Sequence, residues 1–485
     1  MRMPPTRTLS LAFISLLATL ALSAQERRAN PGLPPLIYPW LVPADRVPVP
    51  RAALERFEAG GIPIRARVEP SSSSLEATLL IRTHDLSPAV QLALAYQLRF
   101  GGGAEFDGPT FSAELARVGA ERQVEVFADH LELTLRGPAS PVPAGKGQTI
   151  STLELLAAVV SSSSSSEPLL SRTQEELRAT LGVRQADPLT VTLDRIRQMV
   201  FQSHPYALGL KLSDLENLDA ERLATAQKSA LSPSRCMLAI TSPLESALLK
   251  PLIEQTFAGW NGGGLPDRVS LPPLLEAASI QTLASPNSRM VVGTGRMVLP
   301  GNPQERAIAR ILAQVIASGL QRITPERELF RVGARLEEHA DAALLWAWVE
   351  GTVPGNTEAL LRQELARVGQ GQLVVPEIEA ARAHALAALL APLQGMPRWI
   401  RGEARLELLR GPQTPETGLA LDVEQLKLVP PSAVADMGRA LFGTGAVALV
   451  LTSPAGSALP DVAPAPAQAA PAAPAPAEAE HGGGH

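Results

Sequence analysis

The chain has 485 residues, of which 45% are hydrophobic and 19% are charged. Such a composition can build packed cores, which excludes global disorder, and the length predicts more than one domain. The formal net charge is −5, with 43 basic against 48 acidic residues, so no basic surplus favours nucleic-acid binding. The single cysteine, Cys236, excludes an internal disulfide framework and a cysteine metal cluster.

The two ends of the chain are predicted to lie outside the folded part. Residues 1–24 combine basic Arg2 and Arg7 with a short apolar run and small residues, which is the layout of a secretory signal. We therefore expect a periplasmic or secreted protein; an uncleaved anchor is the alternative. Residues 25–55 are proline-rich and predict an extended lead-in, and the alanine- and proline-rich residues 456–485 predict a disordered tail.

The first half, residues 56–260, combines short strands with helices. Apolar alternation or short apolar runs predict strands, and apolar residues at three- and four-residue spacing predict helices. The predicted strands cover 62–68, 75–83, 123–127, 131–135 and 235–241. The predicted helices cover 87–98, 111–118, 151–160, 170–181, 189–202, 219–231 and 243–260. Asp129 and His130 fall in a tight hairpin turn, which we expect to be solvated.

The same order of elements returns in residues 288–455, after a glycine- and proline-rich linker at 261–287. The predicted strands cover 288–299, 332–336, 343–349 and 446–452, and the predicted helices cover 303–320, 357–368, 376–390, 397–409 and 431–442. Two short sequence echoes support an internal duplication: Gly119-Ala-Glu-Arg with Gly333-Ala-Arg-Leu, and Thr241-Ser-Pro with Thr452-Ser-Pro. The sequence thus predicts an α+β fold of two homologous α/β sandwich domains, each a mixed or antiparallel sheet with helices packed on it.

The segment after the helix at 189–202 has a distinctive composition. It reads Phe201-Gln-Ser-His204-Pro205-Tyr206-Ala-Leu-Gly209, and a helix and the strand start Ser232-Pro-Ser-Arg follow it. This segment resembles the pitrilysin/insulinase family of zinc peptidases, the inverted zincins. The order of elements over residues 55–455 and the duplicated halves also resemble that family. The resemblance implies the family's fold, in which we expect His204 to fix a loop.

The zinc motif of that family is absent from this sequence. Active members carry H-x-x-E-H on the first helix, where the histidines bind zinc and the glutamate activates water. The matching positions here are Ala93, Tyr96 and Gln97, and the helix has neither His nor Glu. The family's third ligand matches Glu175 or Glu176, and one carboxylate cannot hold a catalytic zinc. We therefore expect no cofactor, with zinc only if the chain uses unusual ligands.

The resemblance also assigns peptide-binding positions. In that family an extended peptide pairs with an edge strand of the N-terminal half. The matching positions here are Ala120, Arg122, Val124 and Val126. Family members also hold substrate with an Arg and a Tyr of the C-terminal half; the matching stretch contains Arg327 and Arg331 but no tyrosine. We expect both arginines to be surface charges, and His339 to lie in a solvated turn.

Three functions are compatible with the sequence. The preferred one is an exported, non-catalytic homologue, which the resemblance pairs with a zinc-bearing homologous peptidase subunit and with peptide or unfolded protein as ligand. One alternative is a stand-alone binding or scaffold protein of the cell envelope. The other is an active metallopeptidase with unusual ligands, for instance His130 or His204 with Glu175. No nucleic-acid partner and no membrane span are expected.

Overall fold

The computed structural model describes residues 54–102, 107–143, 149–162, 167–207, 209–260, 263–264, 270–285, 288–324, 329–352, 354–393, 396–411 and 418–454. The predicted signal, nearly all of the lead-in, the tail and Arg327 lie outside these residues. Within the described ranges, no helix is both long enough and apolar enough to cross a membrane.

The first half is built on a six-stranded mixed sheet. Its strands are β1 (Glu55–Ala59), β2 (Ile62–Val68), β3 (Ser74–Arg82), β4 (Glu121–Val126), β5 (His130–Pro138) and β8 (Cys236–Ser242), and a separate ribbon pairs β6 (Val142–Pro143) with β7 (Thr149–Ile150). The order across the sheet is β1-β2-β8-β3-β5-β4. β2 and β8 are parallel, and the other neighbours are antiparallel. β4 is therefore an edge of this sheet.

The second half repeats this arrangement in a five-stranded sheet. Its strands are β9 (Ser279–Ser285), β10 (Met290–Val298), β11 (Leu329–Glu338), β12 (Ala343–Gly351) and β13 (Ala448–Pro454). The order is β9-β13-β10-β12-β11, with β9 and β13 parallel and the other neighbours antiparallel. Strand for strand this matches β2-β8-β3-β5-β4. The predicted α+β fold of two similar halves is confirmed.

The two sequence echoes have different outcomes. Thr241-Ser-Pro lies at the end of β8 and Thr452-Ser-Pro at the end of β13, which are equivalent strands. Gly119, in contrast, ends a helix in the left-handed conformation with φ at 70°. Gly333 lies within β11, where a Cβ would come 2.8 Å from the ring of Trp348. These two glycines serve different purposes, so their echo is not evidence for the duplication.

Helices pack on both sheets. Those of the first half are α1 (Pro88–Phe100), α2 (Gly108–Val118), α3 (Thr152–Ser162), α4 (Glu167–Ala186), α5 (Pro188–Phe201), α6 (Leu212–Glu216), α7 (Ala220–Ala230) and α8 (Ser246–Thr256). Those of the second half are α9 (Pro303–Ile323), α10 (Pro354–Gly369), α11 (Val375–Leu390), α12 (Met396–Arg410), α13 (Leu419–Leu428) and α14 (Pro431–Phe442). Capping side chains followed by proline start several of them, for example Ser87 at α1 and Asn302 at α9.

Each half has its own core between its sheet and its helices. In the first, Leu79 of β3 and Leu94 of α1 belong to one buried cluster. In the second, Val292 of β10 and Leu312 of α9 belong to another. Alternate strand residues point to one face of a sheet, which explains why the apolar pattern predicted these strands well.

Each half also contributes one helix to the sheet of the other half. α12, from the second half, packs on the outer face of the first sheet, where Ile400 clusters with Leu80. α5, from the first half, packs on the outer face of the second sheet, where Ile196 clusters with Val291. α5 and α12 are each the third helix after the β-hairpin of their half, so the exchange is reciprocal.

Two glycines of β10 permit the close approach of α5. A Cβ at Gly293 would come 2.6 Å from a methyl carbon of Thr192, and a Cβ at Gly295 would overlap Ile196. Thr192 also shares a hydrogen bond of 2.6 Å with Thr452 of β13, between the two hydroxyls. The helix is thus anchored by shape and by one buried polar contact.

Among the described residues, six strands and α-helices lie where the sequence predicted none: β1, β6, β7, β9, α6 and α13. β9 lies inside residues 261–287, so the second sheet begins within the predicted linker. Its side chains are mostly half-exposed, and it lacks the apolar alternation that identifies a strand.

Candidate functional site

A cavity of about 1000 Å³ lies between the two halves. The end of β4 and the turn after it line it from the first half, and the end of β11 with parts of α9, α11 and α12 lines it from the second. Both edge strands that begin the hairpins therefore reach this space. Apolar side chains line it together with six arginines, namely Arg184, Arg197, Arg310, Arg335, Arg405 and Arg410.

β4 offers backbone groups to a further strand. The Phe127 N–H donates to the His130 carbonyl at 2.9 Å, which fixes the hydrogen-bonded positions of the β4–β5 ladder. Because such positions alternate along an antiparallel pair, the N–H and C=O groups of Arg122, Val124 and Val126 point away from β5. They point to the free edge, where the structure describes no further strand.

The predicted edge residues differ in the contacts of their backbone amides and side chains. The Ala120 N–H donates to the Leu115 carbonyl at 2.8 Å, so this amide is not free for a peptide, contrary to its place in the predicted set. The Arg122 guanidinium donates to the Gly101 carbonyl at 2.9 Å and lies over the Phe111 ring, and burial lowers its pKa to about 10. Val126 is exposed and lines the cavity.

The positions of the family zinc motif lie on α1, and the structure brings a matching carboxylate near them. Ala93 is fully buried in the first core, and Gln97 is almost fully buried. Tyr96 packs on Phe100, with ring centroids 4.6 Å apart. Burial raises the pKa of Tyr96, and the nearby charges of Arg172 and Glu176 also act on it. α4 therefore places Glu176, one of the two positions that the resemblance matches to the family's third ligand, near Tyr96 of α1.

These residues do not fit a zinc ion. Zinc in proteins takes imidazole, thiolate or carboxylate ligands, and α1 offers a core methyl, a phenol packed against Phe100 and a buried carboxamide. The Arg172 guanidinium lies over the Phe100 ring at 5.7 Å, so a cation already lies at this place. Glu175 and Glu176 are exposed on α4. Among the described residues, no group of three or more His, Cys, Asp or Glu side chains is arranged to hold a metal.

The turn after β4 carries a buried charge cluster. His130 donates from Nδ1 to Asp129 Oδ1 at 2.7 Å and from Nε2 to Glu132 Oε1 at 3.3 Å. Arg405 of α12 donates to Glu132 Oε1 at 2.9 Å from Nε and at 2.5 Å from Nη2. The Phe127 ring stacks on the imidazole of His130 at a centroid distance of 4.4 Å, and the Arg405 guanidinium lies 4.2 Å from the centre of the same Phe127 ring. The cluster joins the first half's hairpin to the exchanged helix of the second half.

Both ring nitrogens of His130 face carboxylates, which favours the imidazolium form because both must then donate. Burial lowers the pKa of His130, but the hydrogen bonds to Asp129 and Glu132 outweigh it and leave the pKa above its usual value. Burial raises the pKa of both acids, but the contacts with His130, and for Glu132 also those with Arg405, outweigh it and leave both pKa values lowered. The prediction of a solvated turn was wrong here, since His130 is only 2% exposed.

The equivalent turn of the second half also carries a buried histidine. His339 stacks on Tyr206 at a centroid distance of 4.0 Å, and burial lowers the pKa of His339. Its expected solvation was also wrong, because Phe201 and Tyr206 cover the ring. His204 accepts a hydrogen bond at Nδ1 from the Tyr206 N–H at 3.2 Å. The family-like segment thus fixes a loop, as predicted for His204.

Arg331, which the sequence predicted to be a surface charge, has a side chain that is 30% exposed and forms two ion pairs. It donates to Asp187 at 2.9 Å and to Glu350, which is fully buried. Asp187 caps α5, so Arg331 ties the exchanged helix to β11 and β12. It cannot at the same time hold a substrate with those donors.

Sequence reasoning missed the role of Arg405. This residue and Glu132 lie 273 positions apart, and their contact depends on α12 packing across the other half's sheet. Neither spacing nor composition carries a signal for such a contact. The adjacent residues Asp129 and His130 in the hairpin turn identify only the part of the cluster that comes from the first half of the chain.

Comparisons with known proteins show the fold. No family model matches the sequence. No curated protein matches it either. A peptidase M16 inactive domain from Pseudomonas fluorescens matches with a TM-score of 0.72 at 15% identity, covering 84% of this chain and 98% of that one. A protease from Helicobacter pylori matches with a TM-score of 0.70 at 13% identity, covering 83% and 100%. An M16-like peptidase from Alicyclobacillus acidocaldarius gives 0.66 at 13%, covering 84% and 100%.

Proposed function

We propose that this chain is an exported, non-catalytic homologue of zinc peptidases that binds extended peptides along β4 and acts beside a zinc-bearing peptidase chain. Its fold is that of M16 peptidase structures, one of which is described as an inactive domain. The residues at the zinc-motif positions, Ala93, Tyr96 and Gln97, support the absence of catalysis because none is a usual zinc ligand. Peptide pairing with a strand edge needs only backbone groups, so it is compatible with those residues.

The outward backbone groups of β4 carry this proposal. Arg122, Val124 and Val126 present N–H and C=O groups at the free edge, and β4 ends in the cavity between the halves. A peptide strand added there forms a further antiparallel or parallel ladder without requiring particular side chains.

The substitution Val126→Pro tests this directly. Proline removes the outward N–H and leaves the β4–β5 ladder intact, because Val126 does not donate to β5. We expect short fluorescein-labelled peptides of alternating threonine and glutamine to bind the full chain, and this variant to bind them roughly three- to tenfold more weakly. Fluorescence anisotropy measures the change.

The matched control is Val126→Ala, which shortens the same exposed side chain and keeps the N–H. We expect it to bind like the unmodified protein. Equal affinity of the proline and alanine variants contradicts pairing at this edge, provided that both variants unfold at the same urea concentration as the parent.

Purification tests the remaining parts of the proposal. We expect the chain alone to contain no stoichiometric zinc by elemental analysis, and to copurify one-to-one with a chain that carries H-x-x-E-H. Stoichiometric zinc in the isolated chain contradicts the non-catalytic assignment. Copurification with unrelated envelope proteins instead supports the alternative of a stand-alone scaffold.

A further inference from the structure

The cavity differs in charge from the molecule as a whole. The chain has a formal net charge of −5. The cavity lining contains six arginines but, in the residues that the structure describes, three carboxylates, namely Asp129, Glu337 and Glu338. A concave, partly apolar surface concentrates the field of such charges, so ligand selection by charge is strongest there.

Five of the six arginines are neutralised by ion pairs. The pairs are Arg184 with Asp194, Arg197 with Glu337, Arg310 with Glu338 and Asp422, Arg405 with Glu132, and Arg410 with Glu338. Arg335 differs from them, because no carboxylate within the described ranges lies at ion-pair distance from it. It is exposed, and its guanidinium lies 5.8 Å from the centre of the Trp348 ring.

Arg335 also lies on an edge strand. The His339 N–H donates to the Ala342 carbonyl at 2.9 Å, so by alternation Leu336 and Glu338 of β11 direct their backbone groups to the free edge. Arg335 stands between such positions and lines the cavity. A guanidinium that lies over an aromatic ring and forms no ion pair within the described ranges matches a carboxylate in both charge and geometry.

We infer that the cavity selects extended peptides that carry acidic side chains, and that Arg335 binds the carboxylate. The inference rests on the proposed peptide-binding function and adds a ligand class to it. Carboxylates neutralise the charges of five arginines of the cavity. Arg335 is the sixth, and it supplies the positive charge that selects the acidic side chain.

A series of three labelled peptides tests the inference on the full chain. The peptides alternate threonine with glutamate, glutamine or lysine and are otherwise identical. We expect the glutamate peptide to bind about fivefold more tightly than the glutamine peptide, and the lysine peptide to bind most weakly. The preference is expected to shrink at high salt. Arg335→Gln should remove it, and Arg335→Lys should retain part of it.

The control is Arg178→Gln on α4, which removes an exposed arginine that does not line the cavity. It should leave the preference unchanged. Equal binding of the glutamate and glutamine peptides, together with a loss in Val126→Pro, overturns the inference and leaves the proposed function standing. A preference that survives Arg335→Gln overturns the assignment to this residue. Absence of binding by all three peptides overturns the proposed function and the inference with it.

Discussion

At the scale of single residues, His130 lies at the centre of a cluster of opposite charges in the turn after β4. A cationic imidazole lies between the buried carboxylates of Asp129 and Glu132, and Arg401 and Arg405 of α12 also contact Glu132. Buried charges stabilise a fold only when their partners remain in place, and removal of one partner leaves the others uncompensated. The cluster therefore makes the free energy of unfolding depend on pH, with a contribution from His130 that is lost as pH rises.

We expect His130→Gln to lower the free energy of unfolding by about 1–3 kcal/mol at pH 6, because it leaves Asp129 without its donor. The folded pKa of His130 is above its unfolded value, so its contribution is complete below about pH 6.5 and is lost as pH rises through the folded pKa. The difference between wild type and variant should therefore shrink from pH 6 to pH 9. Urea unfolding across that range measures it.

His384→Gln on α11 is the control of opposite sign. Burial lowers the pKa of His384, so its difference from wild type should grow, not shrink, as pH rises through about 6.5. A pH-independent difference for His130→Gln contradicts the charged state of this residue.

The turn also shows what a sequence can reveal at this scale. Hairpin position and polar composition predicted a turn at residues 128–130, and a turn is there. The same signals predicted solvation, which is wrong: Phe127 stacks on the His130 ring, and Arg405 of the other half lies over Phe127 and donates to Glu132. Local patterns describe a residue's neighbours along the chain, and burial depends on neighbours in space.

Exchange of α5 and α12 is the main feature at the scale of elements. Both helices were predicted from their apolar spacing, and both are present close to the predicted bounds. Apolar spacing shows that a helix buries one face, but it does not say against which sheet. The nearest predicted partner in sequence was the sheet of the same half, and the structure places each helix on the other one.

Gly295→Ala tests how tightly α5 fits on β10. The added methyl overlaps Ile196 and approaches Leu344 at 3.1 Å, so we expect the free energy of unfolding to fall by about 1–3 kcal/mol. Gly182→Ala on α4 is the control, since no atom lies within 4 Å of its Cβ and alanine favours a helix by up to about 1 kcal/mol. Urea unfolding of both variants measures the effect. An unchanged Gly295→Ala protein means that α5 is free to move away from the sheet.

At the scale of the whole molecule, reciprocal exchange makes each half part of the other's packing. Ile400 of α12 is almost fully buried against the first sheet although it belongs to the second half of the chain. Ion pairs cross in the same place, since Arg65 of β2 donates to Glu407 at 2.6 Å. Two domains joined only by a linker are free to unfold separately, whereas these halves share two buried interfaces.

We therefore expect one cooperative unfolding transition. Hydrogen exchange by mass spectrometry across a urea series should show β3 and β10, which lie in different halves, losing protection at the same urea concentration. Ile400→Ala removes a buried side chain between the halves and should shift both strands together, by about 2–5 kcal/mol of unfolding free energy. Arg362→Gln, at an exposed position of α10, should shift neither strand by more than about 0.5 kcal/mol. If Ile400→Ala shifts β3 and leaves β10 unchanged, the halves are separate folding units and the exchanged helices are a peripheral contact.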